Sequence, residues 1–207
     1  MCKRLCAVCA LLLTLMITAA CTGVVPLSDS EADVYQRIHK KYSQMKSYTA
    51  RVRMTVQSNK TEEVYELEQQ VRVPDAARIT VTSPQSLSGL AAVYNGDSVT
   101  LRQAGMGEVT LPAVPELNYT RPDEFFALYY QSEDTAVSAS GGESGQMLLE
   151  TAVMPRQSEE YKVTLLLDSK KLTPKVLTLY DVGGNIRMTA EYFDFCYNPA
   201  LEDAIFQ

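Results

Sequence analysis

Apolar positions along the chain change their period twice. From Leu5 to Ile17 they form an unbroken run of 13 residues, apart from Thr14. Further on, Val34, Ile38, Tyr42 and Met45 fall on one helical stripe, which predicts an amphipathic helix over 30–45. Ser28 and Glu31 stand in capping-box spacing before it, and Arg37, Lys40, Lys41 and Lys46 occupy its polar side. The period then switches to two. Tyr48, Ala50, Val52, Met54 and Val56 alternate with Thr49, Arg51, Arg53, Thr55 and Gln57, the pattern of a half-buried strand. Ser58-Asn59-Lys60 supplies a turn. A second strand follows, with Tyr65, Leu67, Gln69, Val71 and Val73 on one side, and Pro74-Asp75 ends it.

The rest of the chain repeats this grammar. Arg78–Thr82, Leu90–Tyr94, Ser98–Gln103 and Glu108–Leu111 read as strands, with Asn95-Gly96 and Gly105–Gly107 at turns. A helical island follows, with Thr120 as a cap, Pro122 in the first turn and Asp123 at the positive end. Its residues Phe125, Phe126, Leu128, Tyr129 and Tyr130 are apolar nearly all round, so it is expected to be buried or to lie against something greasy. Ser138–Gly145 reads as a loop. Gln146–Val153, Tyr161–Leu167, Lys175–Tyr180 and Ile186–Phe195 are the closing strands, the last two joined at Gly183-Gly184-Asn185. The expected fold class is α+β and mostly β: a curved antiparallel sheet forming an incomplete β-barrel, with an N-terminal helix and a short lid helix.

The amino terminus has its own organisation. Lys3 and Arg4 precede the apolar run, and Thr18, Ala19 and Ala20 lead to Cys21, the layout of a secretory signal. The run is shorter than the roughly 20 residues a spanning helix needs. The ending resembles the lipobox of bacterial lipoproteins, in which small residues precede a cysteine that is alkylated with diacylglycerol. The expectation is therefore a signal peptide over 1–20, a lipidated Cys21 with a tether over 21–30, and one domain over 31–207. Each buried methylene of the acyl chains contributes about 0.8 kcal/mol, so two or three chains anchor stably. This implies an exported protein, held by lipid at the outer face of a bacterial cell membrane or elsewhere in the envelope.

Charge and cysteine content narrow the chemistry. Loss of Lys3 and Arg4 leaves 17 basic against 25 acidic side chains, a formal charge of −8. That balance argues against nucleic acid as a partner. Cys2, Cys6 and Cys9 leave with the signal and Cys21 is consumed, so Cys196 alone remains and no internal disulfide can form. It is expected to be a packed small hydrophobe. His39 is the single histidine and sits on the polar helix side, which leaves no set of zinc ligands and no base for a catalytic triad. The acidic pairs Glu62-Glu63, Glu133-Asp134, Glu159-Glu160 and Glu202-Asp203 lie in or beside turns or tails. Gly141-Gly142 and Gly183-Gly184 lack the context of a phosphate loop. No enzyme, metal or cofactor is expected.

The ordered set of motifs resembles the LolA-like superfamily. It comprises the opening helix with Ser47-Tyr48-Thr49-Ala50, then Val73-Pro74-Asp75 with Arg78, then Val93-Tyr94-Asn95-Gly96-Asp97. The ending from Asp181 to Phe206, with its glycine turn, aromatic strand and Asn198, completes it. The resemblance implies a half-barrel whose concave side receives acyl chains or other apolar groups under a lid. Candidate ligand-binding residues are Val52, Met54, Val56, Leu67, Val71, Phe125, Phe126, Leu128, Leu165 and Leu167. Plain core packing is the competing role for each. In the lipoprotein carrier an arginine directly precedes the proline after the second strand and latches the lid. Here that position is Val73, and Arg72 points to the other face. The leading expectation is an anchored envelope lipoprotein that binds lipid or the acyl chains of another lipoprotein. The alternative is a non-enzymatic interaction, sensor or assembly module with a filled core and an envelope protein as partner.

Overall fold

The computed structural model describes residues 29–113, 120–131, 135–138, 146–153 and 161–207. The expected signal peptide, Cys21 and the tether lie outside the described residues. Residues 34–207 make up one compact unit, and residues 1–33 another, of which 29–33 are described as the first residues of a helix. That helix, α1 (Asp29–Ser43), is followed by β1 (Ser47–Gln57), β2 (Glu62–Arg72), β3 (Ala76–Ser83), β4 (Ala91–Tyr94), β5 (Ser98–Gln103) and β6 (Gly107–Pro112). Then come α2 (Pro122–Gln131), β7 (Thr135–Ser138), β8 (Gln146–Val153), β9 (Tyr161–Asp168), β10 (Pro174–Tyr180) and β11 (Ile186–Tyr197). Single 3-10 turns occupy Gln85–Leu87 and Asp203–Phe206.

All the strands belong to one antiparallel sheet in the order β6-β5-β4-β3-β2-β1-β11-β10-β9-β8-β7. It is two meanders joined by pairing of the first strand with the last. The sheet does not close, because β6 and β7 stand at opposite edges. This is the curved, incomplete barrel expected from the alternation. Strand β7 is an addition: Thr135–Ser138 pairs with Leu148–Thr151, in a stretch too short to show a period of its own.

Inward rows run across the strands. Met54, Ala190, Leu177, Leu165 and Leu149 are successive cross-strand partners through β1, β11, β10, β9 and β8. A second row carries Val56, Met188, Leu179 and Val163. Ile38 and Tyr42 of α1 are buried against this core, as their stripe predicts, and so is Met45, which lies just past the end of the helix at Ser43.

The β1–β11 seam corrects one expectation. The register shifts between Thr49 and Arg51, so that Cys196 opposes Thr49 and Phe193 opposes Arg51. The one extra residue on β11 forms a bulge, with Asp194 at a φ of 51°. Before it, Met188, Ala190 and Tyr192 face the core; after it, the half-buried residues are Phe195 and Tyr197. The phase change leaves Cys196 exposed instead of packed.

Candidate functional site

The concave face divides into a sealed end under α2 and a more open end at the far strand termini. The sealed end is built around a polar cluster. Tyr48 begins the inward row of β1 and is fully buried, and its hydroxyl donates to Asp123 Oδ1 at 3.0 Å. Gln69 takes an inward position of β2 between Leu67 and Val71 and is 1% exposed. Its amide Nε2 donates to the Thr120 carbonyl at 3.1 Å and lies 3.2 Å from Thr120 Oγ1. Tyr192, from β11, donates to the same carbonyl at 2.7 Å. Three sheet side chains thus hold the segment that enters α2.

Arg121 sits at the centre, 0% exposed. The Phe125 amide donates to its carbonyl at 3.2 Å, so Arg121, one residue beyond Thr120, closes the first helical turn. Its guanidinium forms a two-point bond to Asp123, with Nε at 3.2 Å from Oδ1 and Nη2 on Oδ2. Nη1 lies 3.3 Å from Glu124 Oε1 without hydrogen-bond alignment, and the group stands 5.3 Å from the centre of the Tyr94 ring. Burial works against the arginine charge, and the pull of Asp123 and its neighbours overrides it, so the pKa is raised. Burial pushes the Glu124 carboxyl above the usual range, against the pull of Arg121. Burial, and then the charge of Asp123, raise the Tyr48 phenol well above its ordinary value, and Tyr192 likewise.

An aromatic layer covers this cluster. Phe125, Phe126 and Tyr129 of α2 are 2–4% exposed. Phe126 packs on Tyr42 of α1 with ring centres 3.7 Å apart, and Phe125 stacks on Tyr129 at 5.7 Å. Of the candidate ligand-binding residues, Val52, Leu67, Val71, Phe125, Phe126, Leu165 and Leu167 lie within this contiguous core. Met54, Val56 and Leu128 are half-buried and pack against its border. The structure therefore brings all ten to one apolar body. At the open end, Val56, Leu179 and Met188 line a hollow of about 770 Å³, bordered by the β1–β2 turn and Arg187.

Arg72 faces away from the core, as its register predicts. It bonds Asp203 Oδ1 at 2.7 Å and lies 4.8 Å from the centre of the Phe206 ring. The lid is held from below by Tyr48, Gln69 and Tyr192. Sequence reasoning passed over Arg121 and Tyr192. The available signal was Gln69, an amide placed in an otherwise apolar inward row. His39 is exposed and meets Tyr130 edge-on at 4.9 Å. Among the described residues no group of histidine, cysteine and acidic side chains is placed to hold a metal ion, and no helix is long and apolar enough to cross a membrane.

This geometry can be set beside known proteins. A chain of the complex between the CwlD amidase and the GerS lipoprotein of Clostridioides difficile is 25% identical. The match covers 84% of this chain and 99% of that one, with a TM-score of 0.50. The lipoprotein LppX of Mycobacterium tuberculosis matches at 14% identity over 84% and 99% of the two chains, with a TM-score of 0.51. A LolA superfamily protein from Nitrosomonas europaea matches at 13% identity over 86% and 97%, with a TM-score of 0.44. No curated protein matches the chain. The likeness to LppX is one of fold, the open half-barrel that the motifs imply. A family model described as sporulation protein YdcC-like matches residues 3–206. Spanned by that model almost from end to end, the chain belongs to the YdcC-like family of sporulation proteins.

Proposed function

We propose that this is an exported lipoprotein, acylated at Cys21, that works in the envelope by binding a protein partner and performs no catalysis itself. The observation that carries this reading is the filled concave face. A half-barrel that carries acyl chains needs an enclosed hollow of several hundred Å³ lined by apolar side chains, and the space at Val56, Leu179 and Met188 is a broad depression open to solvent. Here Val52, Leu67, Val71, Leu165 and Leu167 are 0–5% exposed, and the aromatic face of α2 lies packed in the same core. The first candidate partner is an amidase. A chain 25% identical to this one belongs to a complex of an amidase with a lipoprotein, and the Cys21 motif makes the lipoprotein the natural counterpart. The test is co-purification of the full-length protein with amidases encoded in the same genome, followed by calorimetry. Binding to one of them in a stoichiometric complex is expected; failure with every one would sink this partner class.

A second reading keeps the hydrophobic ligand. The hollow at Val56, Leu179 and Met188 favours it, with Met54 beside it as an adaptable contact. On that reading Val56→Asp abolishes retention of a co-purified lipid while the protein stays folded. On the partner reading the same variant leaves amidase binding unchanged.

A further inference from the structure

Acidic as the mature chain is, five of its 17 basic side chains gather at one place. Within α1, Arg37, Lys40 and Lys41 fall inside an arc of about 100°, away from buried Ile38 and Tyr42. The loop between β9 and β10 joins them. Arg37 Nη2 reaches the Lys170 carbonyl at 3.5 Å, and Lys41 Nζ donates to the Lys171 carbonyl at 2.7 Å. These contacts set the Lys170 and Lys171 backbone beside the helix. The acid nearest in the loop, Asp168, is occupied, accepting the amides of Lys170 at 3.0 Å and Lys171 at 2.7 Å. The other acid on the arc, Asp33, stands earlier in α1. The Lys41 ammonium also lies 4.0 Å from the centre of the Tyr197 ring. Burial, and then repulsion by Arg37, hold it below the usual lysine range.

We infer that Arg37, Lys40, Lys41, Lys170 and Lys171 form a membrane-facing surface that rests on anionic lipid headgroups. The inference rests on the lipid-anchor reading for its geometry and goes beyond it by assigning the face. Two arguments choose a bilayer as the occupant. The first is charge: five cations from two segments oppose a net charge of −8 over the mature chain, and a phospholipid surface is the extended anion they match. The second is reach. Thr22–Ser28 can span at most about 25 Å, so an acylated Cys21 keeps the start of α1 close to the bilayer. A face of modest affinity then suffices, because the tether makes its encounter with the membrane intramolecular. The consequence is orientation: α1 and the β9–β10 loop lie toward the lipid, and the remainder of the sheet stays free for a partner.

The chain from Thr22, which lacks the acyl site and keeps the whole compact unit, is tested by flotation. The vesicles are phosphatidylglycerol mixed with phosphatidylcholine, or phosphatidylcholine alone. Binding is expected to the anionic vesicles only and to fade as salt is raised. Arg37→Gln/Lys40→Gln/Lys170→Gln lowers that binding on the order of 100-fold, about fivefold per cation. Arg53→Gln/Lys60→Gln/Lys162→Gln, with the same loss of charge, lowers it only a few-fold. No flotation with anionic vesicles, equal binding to neutral ones, or an equal loss in the control would overturn the inference. Acylation is measured separately, as the mass of the detergent-extracted full-length protein. An acylated protein whose anchor-free form fails to float would sink the face and leave the anchor reading intact.

Discussion

Arg121 places a full charge where no water reaches it, and such a group is tolerated only because Asp123 and Glu124 flank it. Removing one member of a buried pair strands the other. Arg121→Met is therefore expected to destabilise the protein by about 3–5 kcal/mol, read as a lower urea midpoint. The double variant Arg121→Met/Asp123→Asn is expected to recover more than half of that loss, because the stranded carboxylate is gone. Full additivity of the two single effects would show that the pair is not coupled. The buried phenols give a pH signature of their own. Burial raises Tyr42, Tyr48 and Tyr192 well above the ordinary 10.0, so each favours the folded state fully below pH 10 and loses that contribution as pH rises beyond it. Stability should fall by roughly 1.4 kcal/mol per pH unit for each of them. Ultraviolet titration checks this: the exposed tyrosines ionise gradually, while these three appear only in a cooperative step together with unfolding. Gradual ionisation of all 12 would place them in solvent.

At the level of elements, the seam between β1 and β11 that joins the two meanders is fastened at one end by a small junction. Asn198 lies at a φ of 51°, donates its backbone amide to the Ser47 carbonyl at 2.8 Å, and accepts the Lys46 amide on Oδ1 at 2.7 Å. Asparagine tolerates this conformation and offers the side-chain acceptor. Asn198→Ala is expected to cost about 1–3 kcal/mol in chemical denaturation, while a loss under about 0.5 would make the junction dispensable. Gly96, at a φ of 94° in the β4–β5 turn, has room for a methyl group, its closest contact being 3.8 Å away. Gly96→Ala should therefore cost only the conformational strain of about 1–2 kcal/mol. Elements of this kind were largely legible in the sequence. The Asn95-Gly96 turn, the inward alternation of β1 and the apolar stripe of α1 are local patterns, set by residues a few positions apart. What sequence could not display depends on distant partners. The bulge at Asp194, which turns Cys196 outward, lies in the register of β11 against β1, a partner distant in sequence. The burial of Arg121 depends on carboxylates and rings brought from helix and sheet together. The candidate ligand residues were recognised as inward-facing, but inward position alone does not distinguish the lining of a hollow from the filling of a core.

At the scale of the whole molecule, the end of the half-barrel under α2 is occupied by the protein's own side chains. Its core runs unbroken from α1 through α2 to the floor of β8, β9 and β10. Such a body offers surfaces, which is what the proposed engagement of an envelope partner requires. The measurement that tests this most directly is native mass spectrometry of residues 22–207, purified without detergent from a bacterial host. A mass equal to the bare chain, unchanged by added fatty acids and phospholipids, is the predicted result. A heavier species that yields a stoichiometric lipid on extraction would contradict the filled core and restore the lipid carrier.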